Sequence, residues 1–65
     1  MKPNVWQFVR KDEGTFEIFH KGRLLKTAIP EKWLESALAE YGFCGHEYHE
    51  IRRQLDLRGR AERVL

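Results

Sequence analysis

The sequence contains little cysteine and little proline, and it has no long apolar run. Cys44 is the only cysteine, so no disulfide can form within the chain, and we expect a reducing compartment, the cytoplasm. No stretch approaches the ~18 apolar residues of a membrane helix, and the first residues lack the apolar segment of a secretion signal. We therefore expect a cytoplasmic protein that is neither exported nor inserted into a membrane.

The chain is also short, with 65 residues. A chain of this size buries only about 60% of its unfolded surface, and a small-molecule pocket of roughly 300 Å³ is hard to build on it. The composition still belongs to a folded protein, because 42% of the residues are hydrophobic and 34% are charged. We predict a single small globular domain over residues 1–65, without a cofactor or a small-molecule substrate.

A strong excess of one charge is missing as well, since the formal net charge is +2. Residues 1–30 carry six basic and three acidic groups, residues 31–50 carry one and five, and residues 51–65 carry five and two. This distribution is weaker than the basic stripe of a dedicated nucleic-acid-binding protein, but it leaves room for a local patch that faces phosphates.

Three β-strands are predicted in the first half of the chain. The segments VWQFVR and TFEIFH are rich in β-branched and aromatic residues, and KDEG between them suits a short hairpin loop. HKGR places Gly22 at a tight turn, after which RLLKT is typical of a third strand. We expect an antiparallel three-stranded meander over residues 5–27.

A helix is predicted over residues 30–41, PEKWLESALAEY, because Pro30 suits the first helical position. Apolar residues recur on one face of it at helical spacing: Leu34, Ala37, Leu38 and Tyr41. Gly42 follows the helix, and we expect a Schellman cap in which Phe43 packs back on Leu38.

A second helix is predicted from about His46 to Arg58, with Gly59 as its stop signal. The segment RAERVL after it fits either a short fourth strand or a frayed extension. The expected fold class is α+β, with a three-stranded antiparallel meander followed by two helices packed on one face and, as an option, a short C-terminal strand. Two helices joined by a short turn also fit a DNA-binding helix-turn-helix, although the first helix carries glutamates.

The segment CGHEYHEI, residues 44–51, concentrates groups that bind metals or catalyse reactions. On a helix, however, Cys44 projects about 160° away from His46, and a zinc site still needs a fourth ligand. We expect Cys44 to face the core with Tyr48, while His46, His49 and Glu50 face water. We therefore predict neither a metal site nor a catalytic residue.

The sheet carries two apolar sets of side chains, because neighbouring residues of a strand point to opposite faces. One set is Trp6, Phe8, Phe16 and Ile18, and the other is Val5, Val9, Phe19 and Leu25. Two helices cover only one face of a sheet, so we expect one of the two sets to remain as an exposed patch of the kind that marks a protein interface. The alternative is that the C-terminal residues fold over this patch or that a shifted strand register hides Phe19.

The leading hypothesis is a non-catalytic binding protein that contacts another protein, or a second copy of itself as a homodimer. It would act as a regulator, an inhibitor or an accessory subunit. The residues predicted to bind are Phe19, Arg23 and Leu25 on the sheet, with Arg53, Arg58 and Arg60 at the rim.

The alternative hypothesis is nucleic-acid binding through an aromatic and basic surface, where bases stack on an aromatic ring and cations contact phosphates. The residues predicted for this function are Phe19, Lys21, Arg23, Lys26, Arg52, Arg53 and Arg63.

Overall fold

The computed structural model describes residues 4–65 of the predicted domain and leaves residues 1–3 outside the described part. It contains strands β1 (Val5–Arg10), β2 (Thr15–His20) and β3 (Arg23–Pro30), helices α1 (Glu31–Glu40) and α2 (His46–Arg58), and strand β4 (Arg60–Val64). All strand pairs are antiparallel, and the strand order is β3-β2-β1-β4. The predicted α+β class is confirmed, and the C-terminal segment forms a fourth strand beside β1.

The core lies between the two helices and one face of the sheet. The sheet contributes Phe8, Phe16, Ile18, Ile29 and Ala61, and the helical half contributes Leu34, Ala37, Leu38, Phe43, Ile51 and Leu55. Every member of this core is at most 5% exposed. Trp6, which was predicted to share a face with Phe8, Phe16 and Ile18, packs against this core together with Tyr41 and Tyr48.

Helix α1 ends as the sequence predicts. Gly42 has φ 91°, the Gly42 N–H donates to the Ala39 carbonyl at 3.0 Å, and the Phe43 N–H donates to the Leu38 carbonyl at 2.9 Å. These two bonds define a Schellman cap. Phe43 is buried against the core, so the cap also starts the connection to α2.

Strand β3 is longer and less regular than predicted, because it continues beyond residue 27 to Pro30. The pairing with β2 shifts register twice, once between Phe16 and Ile18 and once between Ile18 and Phe19. Such shifts are β-bulges, in which one strand carries an extra residue. Leu25 is one extra residue, since Leu24 and Lys26 have partners on β2 and Leu25 has none.

Helix α2 begins at His46, as the sequence predicts. The prediction that Cys44 faces the core is wrong, because Cys44 is exposed. Gly45 has φ 60° and ψ −126°, so the chain turns sharply before the helix and Cys44 does not share the helical periodicity. Neither helix within residues 4–65 is long and apolar enough to cross a membrane.

Candidate functional site

The face of the sheet opposite the helices is uncovered within residues 4–65. Its side chains alternate with the buried ones along each strand. The uncovered face consists of Val5, Gln7, Val9, Thr15, Glu17, Phe19, Leu24, Thr27, Arg60, Glu62 and Val64. None of these side chains is fully buried, and Leu24 and Val64 are 46% and 61% exposed. The C-terminal residues extend the sheet as β4 and do not fold over this face.

Apolar side chains concentrate at the end of the uncovered face that is nearest to the β2–β3 turn. Phe19 lies opposite Leu24 across β2 and β3, and Val5 lies opposite Val64 across β1 and β4. Opposed residues in antiparallel strands have Cβ atoms about 4.5 to 5.5 Å apart, so each pair is in contact. Gln7 lies opposite Phe19 in the neighbouring strand and connects the two pairs. We call Phe19, Leu24, Val5 and Val64 the apolar patch.

Arg60 and Glu17 occupy the other end of the uncovered face, whereas Glu62 lies opposite Gln7, in the same row as Phe19. Val9 lies between Arg60 on β4 and Glu17 on β2. The Glu17 carboxylate accepts a hydrogen bond from Thr27 Oγ1 at 2.8 Å and lies 3.9 Å from Lys11 Nζ. None of the ion pairs found among residues 4–65 involves Arg60. This end therefore carries a carboxylate and a guanidinium about two strand spacings, or roughly 10 Å, apart.

The predicted sheet residues are divided between the two faces. Phe19 lies on the uncovered face, but Leu25 does not accompany it. The two-residue turn pairs His20 with Arg23, which brings Leu24 opposite Phe19. Leu25 and Arg23 line a shallow hollow with His20, whose ring stacks on the helix-covered side of the sheet. The grouping of Phe19 with Arg23 and Leu25 on one face is therefore corrected, and Leu24 takes the place of Leu25.

The predicted rim arginines also separate. Arg60 lies on the uncovered face, and Arg58, at the end of α2, lines a hollow together with Arg60 and Gln7. Arg53 is exposed on α2, which packs on the opposite side of the sheet. Arg58 and Arg60 are thus close to the edge of the uncovered face, whereas Arg53 is remote from it.

Three of the seven residues predicted for nucleic-acid binding are ion-paired on the helix side: Lys26 with Glu40, Arg52 with Glu31 and Asp56, and Arg63 with Glu47. The hydrogen bond from Lys26 Nζ to Glu40, 2.7 Å long, raises the pKa of Lys26 above its ordinary value of 10.5. The hydrogen bond to Glu31 likewise raises the pKa of Arg52. These cations already have carboxylate partners, which a phosphate would have to displace.

A different group of cations was not predicted from the sequence. Arg10, Lys11 and Arg58 line one hollow at the end of β1, and the carboxylate-bearing Asp12 lines it with them. A hydrogen bond of 2.8 Å from the Arg10 N–H to the Gly59 carbonyl holds the end of β1 beside the end of α2. Only the pairing of β4 with β1 brings these segments together, so the sequence contains no local signal for this cluster.

A second exposed apolar feature lies between β3 and α1. Trp33 is 56% exposed and lines an open groove of about 360 Å³ with Ala28, Ile29 and Ala37. Lys32 Nζ lies 5.8 Å from the centre of the Trp33 ring. The groove is wide open, and its lining contains no histidine or cysteine.

The CGHEYHEI segment does not assemble a site in the structure. His46 and His49 are exposed, Tyr48 is partly buried, and Cys44 is exposed on the preceding loop. Among residues 4–65, no three His, Cys, Asp or Glu side chains are grouped so that they could hold a metal ion.

Comparison with known proteins gives no further guidance on the uncovered face. No protein-family model, no curated protein and no solved structure matches this chain.

Proposed function

We propose that this protein is a non-catalytic cytoplasmic binding protein whose uncovered face contacts another polypeptide. The observation that carries the proposal is the apolar patch, Phe19, Leu24, Val5 and Val64, which has no helix over it within residues 4–65. Contiguous apolar side chains on a small protein commonly mark a binding surface, because their burial in a complex removes apolar area from water. The single cysteine, Cys44, supports the cytoplasmic assignment, since reduced thiols are typical of that compartment.

The composition of the face supports a protein partner over a nucleic acid. Its apolar side chains include the aromatic ring of Phe19, and its charges are mixed, with Glu62 two residues from Arg60 along β4 and Glu17 across Val9 from Arg60. Protein interfaces combine an apolar centre with a polar rim, whereas a phosphate backbone requires an excess of cations. The arginines nearest to this face, Arg58 and Arg60, would form part of the rim.

Site-specific photo-crosslinking tests the proposal. A photoreactive phenylalanine analogue replaces Phe19 in one variant and Leu57 in a control variant, and each is expressed in the cells in which the chain occurs. Leu57 is also an apolar residue and is 72% exposed, but it lies on α2, away from the uncovered face. We expect covalent adducts from position 19 and few from position 57. Equal adduct yields at the two positions, or none at position 19, would contradict the proposal.

Arg10, Lys11 and Arg58 form a basic cluster at the end of the sheet, which is the surface a nucleic acid would contact. Binding of nucleic acid is therefore measured as well. Fluorescence anisotropy of labelled single-stranded and double-stranded oligonucleotides is recorded at increasing salt concentration. A complex held by phosphates weakens steeply as salt rises. We expect no specific binding, and tight, salt-sensitive binding that is lost on Arg58→Glu would replace the protein-binding proposal by the nucleic-acid alternative.

A further inference from the structure

We propose that the partner of the uncovered face is an acidic polypeptide, and that its carboxylates bind the tip of the β2–β3 hairpin. This inference rests on the proposed function and adds the chemistry of the partner. We call Lys21, Gly22 and Arg23 the hairpin tip. Arg23 directly precedes Leu24 of the apolar patch, and Lys21 lies two residues beyond Phe19, so one partner segment can contact both the patch and the tip.

The cations of the hairpin tip have no carboxylate partner in the described part of the chain. Lys21 and Arg23 are exposed, and none of the ion pairs found among residues 4–65 involves either of them. They line one hollow together with His20 and Leu25, and no carboxylate-bearing residue lines this hollow. The tip therefore presents positive charge that the carboxylates of a partner can neutralise through charge-assisted hydrogen bonds.

The carboxylates on the surfaces beside the tip are engaged with other side chains. Their hydrogen bonds join Glu62 to Gln7 at 3.3 Å, Glu17 to Thr27 at 2.8 Å and Glu40 to Lys26 at 2.7 Å. Glu62 and Glu17 lie on the uncovered face and would repel an acidic group placed beside them. The acidic groups of a partner are therefore directed to the tip, and its apolar groups to the apolar patch.

The backbone conformation of Lys21 favours a different residue at this position. Lys21 has φ 53° and Gly22 has φ 80°, and two positive φ angles are typical of a type I′ hairpin turn. Asparagine or aspartate before the glycine is the usual choice, because most other L-amino acids are strained at positive φ. Strained residues concentrate at functional sites. A lysine here supplies a cation that neither of the preferred residues has, at a cost in stability.

The spacing between the patch and the tip defines the partner segment. Lys21 lies two residues from Phe19, or about 7 Å along a strand, and residues i and i+2 of an extended polypeptide point to the same side at the same spacing. We expect an apolar residue over Phe19 and Leu24, with an aspartate or glutamate two residues away against Lys21. A nucleic acid fits this surface less well, because every nucleotide adds a negative charge, which Glu62 and Glu17 would repel.

Charge reversal at the tip tests the inference on the intact chain. The photoreactive analogue at position 19 is combined with Lys21→Glu and Arg23→Glu, and adducts are quantified in the cells in which the chain occurs. We expect the adduct yield to fall at least about tenfold, because attraction becomes repulsion. The matched control combines Lys32→Glu with Arg53→Glu, which changes the net charge equally at exposed positions of α1 and α2. Its yield should stay within about twofold, since salt screens distant charges.

Lys21→Asn separates a binding role of Lys21 from a structural role. Asparagine tolerates positive φ better than lysine does, so we expect this variant to unfold at a higher urea concentration than the wild type. The variant also loses a cation, and we expect its adduct yield from position 19 to fall about threefold. A variant that is more stable and still forms adducts like the wild type would overturn the inference. If the doubly reversed variant does not fold, as measured by circular dichroism, Lys21→Asn decides the test.

The partner segment that is crosslinked to position 19 provides a direct check of its chemistry. Mass spectrometry identifies the crosslinked residue, and we expect an aspartate or glutamate within about three residues of it. A labelled synthetic peptide of this segment is titrated with the chain by fluorescence anisotropy. Replacement of its acidic residues by asparagine and glutamine should raise the Kd about tenfold. A segment without a nearby acidic residue, or an adduct with a nucleic acid or a second copy of this chain, would overturn the inference.

The inference and the proposed function fail in different ways. The absence of an adduct from position 19 contradicts both. An adduct with another protein that persists after charge reversal at the tip contradicts only the inference. An adduct with another protein that is lost on charge reversal at the tip, but kept in the control, supports both.

Discussion

Ala28 lies in the left-handed backbone region, with φ 55° inside strand β3, a conformation that Lys21 also adopts among the non-glycine residues of the described chain. An L-amino acid in the left-handed region costs roughly 1 to 2 kcal/mol, because its Cβ approaches the following carbonyl oxygen. The strain occurs where β3 carries an extra residue opposite Phe16 and Ile18. Ala28 therefore bends the end of β3 so that Ile29 enters the core and α1 starts directly after Pro30.

Ala28→Gly is expected to stabilise the protein by about 0.5 to 1 kcal/mol. Glycine adopts positive φ without strain, and this gain exceeds the greater backbone entropy that glycine loses on folding. The measurement is the free energy of unfolding from urea titration monitored by tryptophan fluorescence. Ala39→Gly is the matched control, because Ala39 is exposed within α1 and the same change should destabilise the protein by about 1 kcal/mol. Destabilisation of both variants by the same amount would contradict this account of Ala28.

At the scale of the elements, the helices were easier to predict than the sheet register. Both helices have their signals next to them in the sequence: Pro30 before α1, Gly42 after it, and Gly59 after α2. The register of β3 was predicted incorrectly, since Leu25 was expected beside Phe19. The signal was present, because a two-residue turn at Lys21 and Gly22 requires His20 to pair with Arg23, which brings Leu24 opposite Phe19. The later bulges have no such local signal.

The Schellman cap of α1 provides a prediction at this scale. Gly42→Ala is expected to lower the free energy of unfolding by about 1 to 2 kcal/mol, because alanine at φ 91° is strained. No heavy atom lies within 4 Å of the position that a Cβ would occupy, so the loss arises from backbone conformation and not from a clash. Gly42→Asn should lose about half as much, since asparagine tolerates positive φ better. Equal losses in the two variants, measured by urea titration, would point to another cause.

At the scale of the whole molecule, one small core holds both helices on one face of the sheet. Leu38 and Ile18 are completely buried and come from the two layers. A domain below about 70 residues rarely has more than 3 to 5 kcal/mol of net stability from a single core. Burial of the uncovered face against a binding partner would add to this stability, because any partner that binds only the folded state shifts the equilibrium toward it.

Leu38→Ala is expected to leave the protein largely unfolded at 37 °C, because truncation of a fully buried leucine costs about 2 to 5 kcal/mol. Leu57→Ala should change the free energy of unfolding by less than about 0.5 kcal/mol, since Leu57 is 72% exposed. Thermal unfolding monitored by circular dichroism compares the two variants with the wild type. A cooperative transition of Leu38→Ala at the wild-type temperature would show that the core is not organised around α1 as described.

The sequence by itself determined the α+β class, the limits of the two helices to within one residue, the Schellman cap and the apolar set of the sheet that contributes to the core. These features depend on residues close in sequence, through helical spacing, strand alternation and the conformational freedom of glycine. Only the tertiary structure decided that β4 extends the sheet, that β3 carries two bulges, and that Arg60 and Glu17 share a row around Val9. The physical reason is that strand pairing between distant segments and the bulges of β3 depend on how the whole core packs, which no short stretch of the chain encodes.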